Sequence, residues 1–394
     1  MMIKSVKVRL NPNNKQLTKL FQYAECAIFA YNWAIVRERE NYTQGNKFIS
    51  DNDLRKEFTQ LKKLPEYEWL NSISNDVTKQ AIKDACNTYR RFFKKQCRYP
   101  KLKSEKHSKK AFYQDNVKIQ FTDTHVKVGG FSMSHKRNKQ KLNWIRLCEK
   151  GRIPTNCKYL NPRFTYDGLY WYVSVGIEVE DVKEVPAGEG VGIDLGVKDL
   201  AVCSDGNTYE NINKTAKVKK LEKRKRRLQR SLSRRYEKNR EGKSYYKTCN
   251  IIKREKGLLK VNRRLTNIRH NYTHQVTSEI VKRKPSFICT EDLDVLEMMK
   301  NKHLSKAIQQ QGFYEFRRQV KYKSNWNNIS LILVDKFYPS SKTCSCCGCV
   351  KEDLKLSDRI FICPDCGNKI DRDYNASLNL KMYGEQSVSL TLSS

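Results

Sequence analysis

Val191-Gly192-Ile193-Asp194-Leu195-Gly196 sets one carboxylate inside an otherwise apolar run. A short apolar run of this kind reads as a buried β-strand. A carboxylate within such a strand costs several kcal/mol unless a partner compensates it. The glycines beside it let a ligand or another backbone approach closely. A second strand, residues 200–203, follows after a turn. Further on, Ser286-Phe-Ile-Cys-Thr290 reads as another buried strand and leads into Glu291-Asp292-Leu293. A third acidic group, Asp371-Arg372-Asp373, precedes Tyr374-Asn375-Ala376, where a helix begins. Taken singly, each acid has an ordinary reading as a salt bridge, a surface charge or, for the third group, a helix cap. Three carboxylates meeting at strand ends could bind two hard cations. A pair of Mg²⁺ ions about 4 Å apart can activate water and stabilise the leaving oxygen in phosphodiester hydrolysis.

Between the first two acids lie long helical patterns. Val218, Leu221, Leu228 and Leu232 share one face, and Leu258, Val261, Leu265, Ile268, Tyr272, Val276 and Ile280 recur every three or four residues. They read as two amphipathic helices packed together with basic outer faces. Residues 211–270 hold 23 lysines and arginines against four glutamates, which points to nucleic-acid contact. Pro285 ends the second helix. A helix over residues 313–326 and a strand over 329–334 follow. After the cysteine-rich segment comes a short helix over 374–382, and residues 384–394 read as a loose tail. Strands alternating with long helices indicate an α/β domain.

Cys344-Ser-Cys-Cys347-Gly348 and Cys363-Pro-Asp-Cys366-Gly367 form two C-x2-C turns separated by fifteen residues. That is the spacing of a zinc ribbon, in which four thiolates close a tetrahedral site and leave no position open for substrate. Cys346 and Cys349 could compete for the ion. The glycine that follows each C-x2-C favours Cys344, Cys347, Cys363 and Cys366 as ligands of one structural Zn²⁺. The other eight cysteines are scattered singly, so metal binding rather than a disulfide framework is indicated.

The first half differs. Ile3, Val6, Val8 and Leu10 alternate as in a strand, and Asn11-Pro12-Asn13-Asn14 punctuates the chain. Helical spacing follows over residues 16–42 and 76–95, the latter with Ala81, Ala85, Tyr89 and Phe92 on one face. Strand alternation resumes at 117–121 and 126–128 and is clearest over 169–179, after the Asp167-Gly168 turn signal. These segments read as a small antiparallel β-barrel carrying a helical insertion. Pro186-Ala-Gly-Glu-Gly190 links it to the second half.

The 394 residues carry a net charge of +36. Such an excess calls for a polyanion, and nucleic acid is the natural one. No window is apolar enough to span a membrane, and the start lacks a signal-peptide core, so a cytoplasmic protein is expected. The six histidines do not cluster, and no Walker A sequence is present, so neither nucleophilic catalysis nor ATP use is indicated.

Together these motifs resemble the TnpB family, transposon-encoded RNA-guided DNA endonucleases related to the small type V CRISPR effectors. The resemblance runs over nearly the whole chain. It includes Tyr31-Asn32-Trp33, Gln80-Ala81 to Phe92-Phe93, Gly192-Ile-Asp194-Leu-Gly196, Thr290-Glu291-Asp292-Leu293, and the block from Ser341 through Ala376. It implies an RNase H-like (RuvC) nuclease domain, residues 186–340 and 367–383, interrupted by the zinc ribbon at 341–366. It also implies a wedge β-barrel, residues 1–13 and 96–185, with a helical recognition insertion at 14–95 and a flexible tail at 384–394.

Asp194, Glu291 and Asp373 take the catalytic roles on this resemblance and hold two Mg²⁺ ions. Asp373 is chosen over Asp371 because it directly precedes Tyr374-Asn375-Ala376. Arg359, in Leu356-Ser-Asp-Arg359, stands where related nucleases have an arginine near the scissile phosphate. Gln80 is a candidate base-edge contact to the adjacent DNA motif, and Tyr89, Arg90 and Arg91 are candidate backbone or stacking contacts. The implied partners are a guide RNA from the transposon end and double-stranded target DNA, in a monomeric ribonucleoprotein that associates with the nucleoid of a prokaryotic cell. Guide pairing would read the target sequence. Two rivals are a cleavage-inactive RNA-guided repressor, expected to have lost an acid, and a DNA transposase acting without guide RNA. The ribbon placed just before the third acid argues against the second.

Overall fold

The structure is a computed structural model that describes residues 2–104, 108–131, 140–180, 184–242, 244–335, 338–355 and 358–392. Leu356 and Ser357 of the arginine motif lie outside the described residues. The chain divides into two compact units, Met1–Glu180 and Asp181–Ser394.

In the first unit, strand β1 (Met2–Asn11) is followed by helices α1 (Asn14–Thr43), α2 (Asp51–Leu61) and α3 (Asn75–Phe93). Asn13 begins α1 with a reciprocal cap: its side chain accepts from the Gln16 N–H, and Gln16 answers on the Asn13 N–H. Short strands β2 (Ala111–Tyr113), β3 (Gln120–Phe121), β4 (His125–Lys127) and β5 (Trp144–Leu147) then lead to β6 (Tyr159–Tyr166) and β7 (Trp171–Val179). The seven strands form one antiparallel sheet in the order β2-β6-β7-β1-β5-β4-β3. The sequence reading expects a closed barrel. Among the described residues the outer strands β2 and β3 do not pair with each other, and the sheet stays open. Its buried residues, Val8, Phe164, Trp171 and Val173 among them, belong to the same core as Leu20, Tyr23 and Ile35 of α1 and Ile82 and Tyr89 of α3.

The second unit contains β8 (Val191–Asp194), β9 (Asp199–Cys203) and β10 (Thr208–Glu210). Next come two long helices, α4 (Ala216–Lys238) and α5 (Cys249–Lys282), then β11 (Phe287–Glu291), α6 (Phe313–Trp326) and β12 (Ser330–Val334). A small hairpin, β13 (Ile360–Ile362) with β14 (Lys369–Asp371), precedes the last helix, α7 (Arg372–Leu392). The main sheet has the order β10-β9-β8-β11-β12, with β8, β11 and β12 parallel and β9 and β10 antiparallel to their neighbours. Parallel strands buried on both faces are near-continuously apolar, and β8 and β11 are, as is the antiparallel β9. Val218, Val261 and Leu265 join α4 to α5 along the apolar stripe legible in the sequence.

Helix α7 is longer than the sequence suggests. It continues to Leu392, where a loose tail is expected from residue 384. Packing explains the difference: Tyr383 and Val388 lie against the cluster of Phe287, Cys289, Val334 and Leu380. Gly384 admits the Phe287 ring so closely that a Cβ there would lie 2.2 Å from it. No helix among the described residues is long and apolar enough to cross a membrane.

Candidate active site and metal centre

Strands β8 and β11 run parallel as neighbours and end on Asp194 and Glu291. The third acid arrives on α7, which crosses β8 at Gly192. A Cβ on Gly192 would lie 2.0 Å from the Ser377 carbonyl oxygen and 2.4 Å from the Lys381 nitrogen. The close approach that the glycine permits is thus filled by helix backbone. It brings the first turn of α7, with Asp373, to the end of β8.

The three acids are coupled by charge, while among the described residues the group of metal-ligating side chains whose ligand atoms lie within 4.8 Å of one another is the cysteine cluster below. Burial pushes the Asp194 carboxyl well above the usual carboxylate range, and the charges of Glu291 and then Asp373 push it the same way. Arg372 and the Leu195 N–H oppose them. Arg372 Nη2 lies 3.5 Å from Asp373 Oδ1, with both side chains about 15% exposed or less. Ser340, itself buried, donates its hydroxyl to Glu291 Oε1. Asp371 acts differently: its Oδ1 accepts from the backbone N–H groups of Asp373 (2.9 Å) and Tyr374 (3.1 Å), so it caps α7. The charge of Asp373 acts on Asp194, while the carboxylate of Asp371 is spent on the helix end. A cavity of about 260 Å³ adjoins the site, lined by Lys198, Val202, Thr208, Asp371, Asp373 and Tyr374. Oxygen donors of this kind suit hard cations such as Mg²⁺.

Arg359 does not join this group. Its side chain is exposed, and its backbone carbonyl accepts the Arg372 N–H at 2.9 Å, tying the ends of β13 and β14 together. The guanidinium beside the acids is Arg372. The sequence reading assigns Arg372 no role, because it weighs only the two acids that flank it. Its signal is its place between two acids at a helix start.

The four ribbon thiols come together as the spacing requires. Cys344, Cys347, Cys363 and Cys366 present sulfurs that all lie within 4.8 Å of one another, and this cluster could hold a metal ion. Cys344 Sγ is 3.7 Å from Cys366 Sγ, and Cys347 Sγ is 3.5 Å from Cys363 Sγ. Four thiolates about 2.3 Å from a tetrahedral zinc would stand roughly 3.8 Å apart, so the donor set fits. Gly348 (φ +77°) and Gly367 (φ +68°) adopt the left-handed conformation that each knuckle turn demands. Burial disfavours the Cys344 thiolate, yet the N–H groups of Cys347 and Cys346 bring the thiol down to about 6. Cys346 and Cys349 stay outside the cluster.

The candidate nucleic-acid contacts of the first unit fare unevenly. Tyr89 is only 1% exposed; its hydroxyl donates to the Ile35 carbonyl and its ring packs in the core. It cannot stack on a base, because it belongs to the apolar face of α3. Gln80 donates to Asp84 (2.8 Å), which also holds Arg163 through two bonds of 2.8 and 3.1 Å. Arg90 is exposed and reaches Asn87 and Asp51. Arg91 is exposed. In the second unit a groove of about 620 Å³ on α4 and α5 is lined by Lys217, Lys220, Lys223, Arg224, Arg227 and Arg264, with only Leu221 besides.

A family model described as a Cas12f1-like TNB domain matches residues 313–380, one described as a probable transposase of the IS605 OrfB type matches 174–302, and one described as a helix-turn-helix domain matches 1–47. These matches support an identification with the TnpB family. In this chain residues 1–47 fold as β1 and the single long helix α1. Over 97% of its length the chain is 28% identical to the Escherichia coli K12 protein named "Putative RNA-guided DNA endonuclease InsQ", covering 92% of that protein. It is 27% identical over 97% of its length to a Streptomyces pristinaespiralis protein named "Putative RNA-guided DNA endonuclease", covering 89% of it. A solved Cas12f1–sgRNA–target DNA complex shares the fold at TM-score 0.62 and 14% identity, over 96% of this chain and 98% of that one.

Proposed function

We propose that this TnpB-family chain is an RNA-guided DNA endonuclease. In this reading Asp194, Glu291 and Asp373 hold two Mg²⁺ ions in an RNase H-like (RuvC) domain. The observation that carries the reading is the placement of Asp194 and Glu291 at the ends of the adjacent parallel strands β8 and β11, with the helix that starts at Asp373 packed on β8 at Gly192. The charges of Glu291 and Asp373 both act on Asp194, and such mutual repulsion in a buried site is maintained where cations relieve it. Bound divalent ions supply the charge that activates water and steadies the leaving oxygen in phosphodiester hydrolysis.

The chain's own residues do the rest. Arg372 restrains the Asp373 carboxylate, and Ser340 restrains that of Glu291. The α4–α5 groove offers six cations to a phosphate backbone with no acid among its lining residues. The zinc-bound ribbon would be structural, stiffening the connection between β12 and α7. The first unit would act as wedge and recognition module, with Gln80, Arg90 and Arg91 near the DNA beside the target. The Escherichia coli and Streptomyces pristinaespiralis relatives, named as putative RNA-guided DNA endonucleases, match along nearly their whole length, which supports the same activity here.

The test is purification with co-expressed flanking DNA, sequencing of the RNA that copurifies, and incubation with a duplex matching its 3′ segment in Mg²⁺. Guide-dependent cutting that ribonuclease pretreatment abolishes is expected. Cutting that survives ribonuclease would instead support a guide-free transposase, and stable binding without cutting would support a repressor.

A further inference from the structure

The segment that enters the ribbon is anchored to the helix that carries Asp373. Asn375 and Asn379 stand one turn apart on α7, 0% and 1% exposed. Asn379 Nδ2 donates to the carbonyls of Ser340 (2.7 Å) and Thr343 (2.6 Å). Asn375 Nδ2 donates to the Thr343 carbonyl (2.7 Å), and its Oδ1 accepts the Ser345 N–H (3.0 Å). Residues 340–345 are therefore gripped by two buried amides. Cys344, the first ribbon thiol, lies between Thr343 and Ser345. Ser340, 3% exposed, points its hydroxyl the other way, onto Glu291 Oε1.

We infer that Ser340 is a positioning residue: its hydroxyl fixes the Glu291 carboxylate toward Asp194, and the Asn375–Asn379 clamp makes that position depend on the docked ribbon. The inference rests on the proposed nuclease reading of Glu291. Three features carry it. A glutamate at a strand end has three side-chain torsions, so its carboxylate needs an external restraint to hold one direction. The bond is charge-assisted and part-buried, which makes it stronger than a neutral surface bond. Its donor cannot drift, because the Ser340 carbonyl is itself held by Asn379. One helix thus supplies Asp373 directly and orients Glu291 through Ser340.

The experiment compares Ser340→Ala, Ser340→Thr and Glu291→Ala with the unaltered ribonucleoprotein. The readouts are cleavage rate against Mg²⁺ concentration, Mn²⁺ affinity by calorimetry without target DNA, and melting temperature. Groups that orient ligands are typically worth about 10–100-fold in affinity or activity. Ser340→Ala should lose about that much in rate and weaken Mn²⁺ binding, at an unchanged melting temperature. Ser340→Thr, which keeps the hydroxyl, should recover most of both. Wild-type rate and Mn²⁺ affinity in Ser340→Ala would overturn the inference. Equal losses in Ala and Thr variants with a lowered melting temperature would also overturn it, by showing a packing role. Full cutting by Glu291→Ala would overturn the underlying assignment of Glu291 itself.

Discussion

Strand β8 and helix α7 meet backbone to backbone where Gly192 faces Ser377, whose carbonyl oxygen lies 2.0 Å from the position a Gly192 Cβ would take. The neighbour is helix backbone rather than a flexible side chain, so it cannot step aside alone. Gly192→Ala should force α7 off the sheet and carry Asp373 away from Asp194. Overpacking of this kind costs about 1–3 kcal/mol, and more where backbone must move. Urea unfolding should show that loss, together with loss of cutting. Unchanged stability would mean that the helix does not seat there.

The two aspartates at the start of α7 should separate cleanly. Asn caps helices about as well as Asp, so Asp371→Asn should keep both stability and cutting. Asp371→Ala should lose about 1 kcal/mol of stability. Asp373→Asn removes a charge that acts on Asp194 and should abolish cutting while leaving melting nearly unchanged. Rates for the three variants, measured on one target, decide which acid serves the site.

Replacing Cys363 or Cys366 with serine should release zinc and lower the melting temperature, because among the described residues the ribbon's own buried cluster is Cys344, Cys363 and Phe361 with a few partly buried neighbours. Cys346→Ser and Cys349→Ser should keep the full metal content. Metal analysis of purified protein reads this directly, and zinc retained by Cys363→Ser would refute the four-thiolate assignment.

In the first unit Glu38 is 2% exposed and its Oε1 is buried without a hydrogen-bond partner among the described residues. Burial raises its pKa from 4.5 to about 7, against the Ile49 N–H. The folded state therefore holds this proton more tightly than the unfolded one. The stabilisation is fully present below 4.5 and is lost as pH rises through 7. Glu38→Gln should gain up to about 3 kcal/mol over the parent near pH 8 and much less near pH 5. Denaturant titrations at the two pH values check the sign.

Much of the site is legible in the residues because its chemistry conflicts with local packing. Asp194 in an apolar strand announces itself by the desolvation it must suffer, and the paired C-x2-C-x-type knuckles by a spacing that only a shared ion explains. Tyr89 was also legible: it falls at helical spacing from Ala81 and Ala85, and that stripe forms the core against α1. That period, and not the arginines beside it, decides its place in the core. Arg372 and Ser340 were not legible in this way. Their roles depend on which carboxylate the fold sets beside them, and nothing local to Asp-Arg-Asp or Pro-Ser-Ser fixes that. The length of α7 was hidden for a similar reason. Gln386-Ser-Val-Ser-Leu390 has no strong helical preference, and the helix persists because Val388 packs on the Phe287 cluster.

The most direct measurement is the initial rate at which the Asp194→Ala ribonucleoprotein cuts a guide-matched duplex in Mg²⁺, relative to the unaltered particle. The rate should fall by about three orders of magnitude or more, equivalent to roughly 4 kcal/mol of transition-state stabilisation, with guide RNA bound as before. Cutting at the parental rate by that variant would contradict the account at its root.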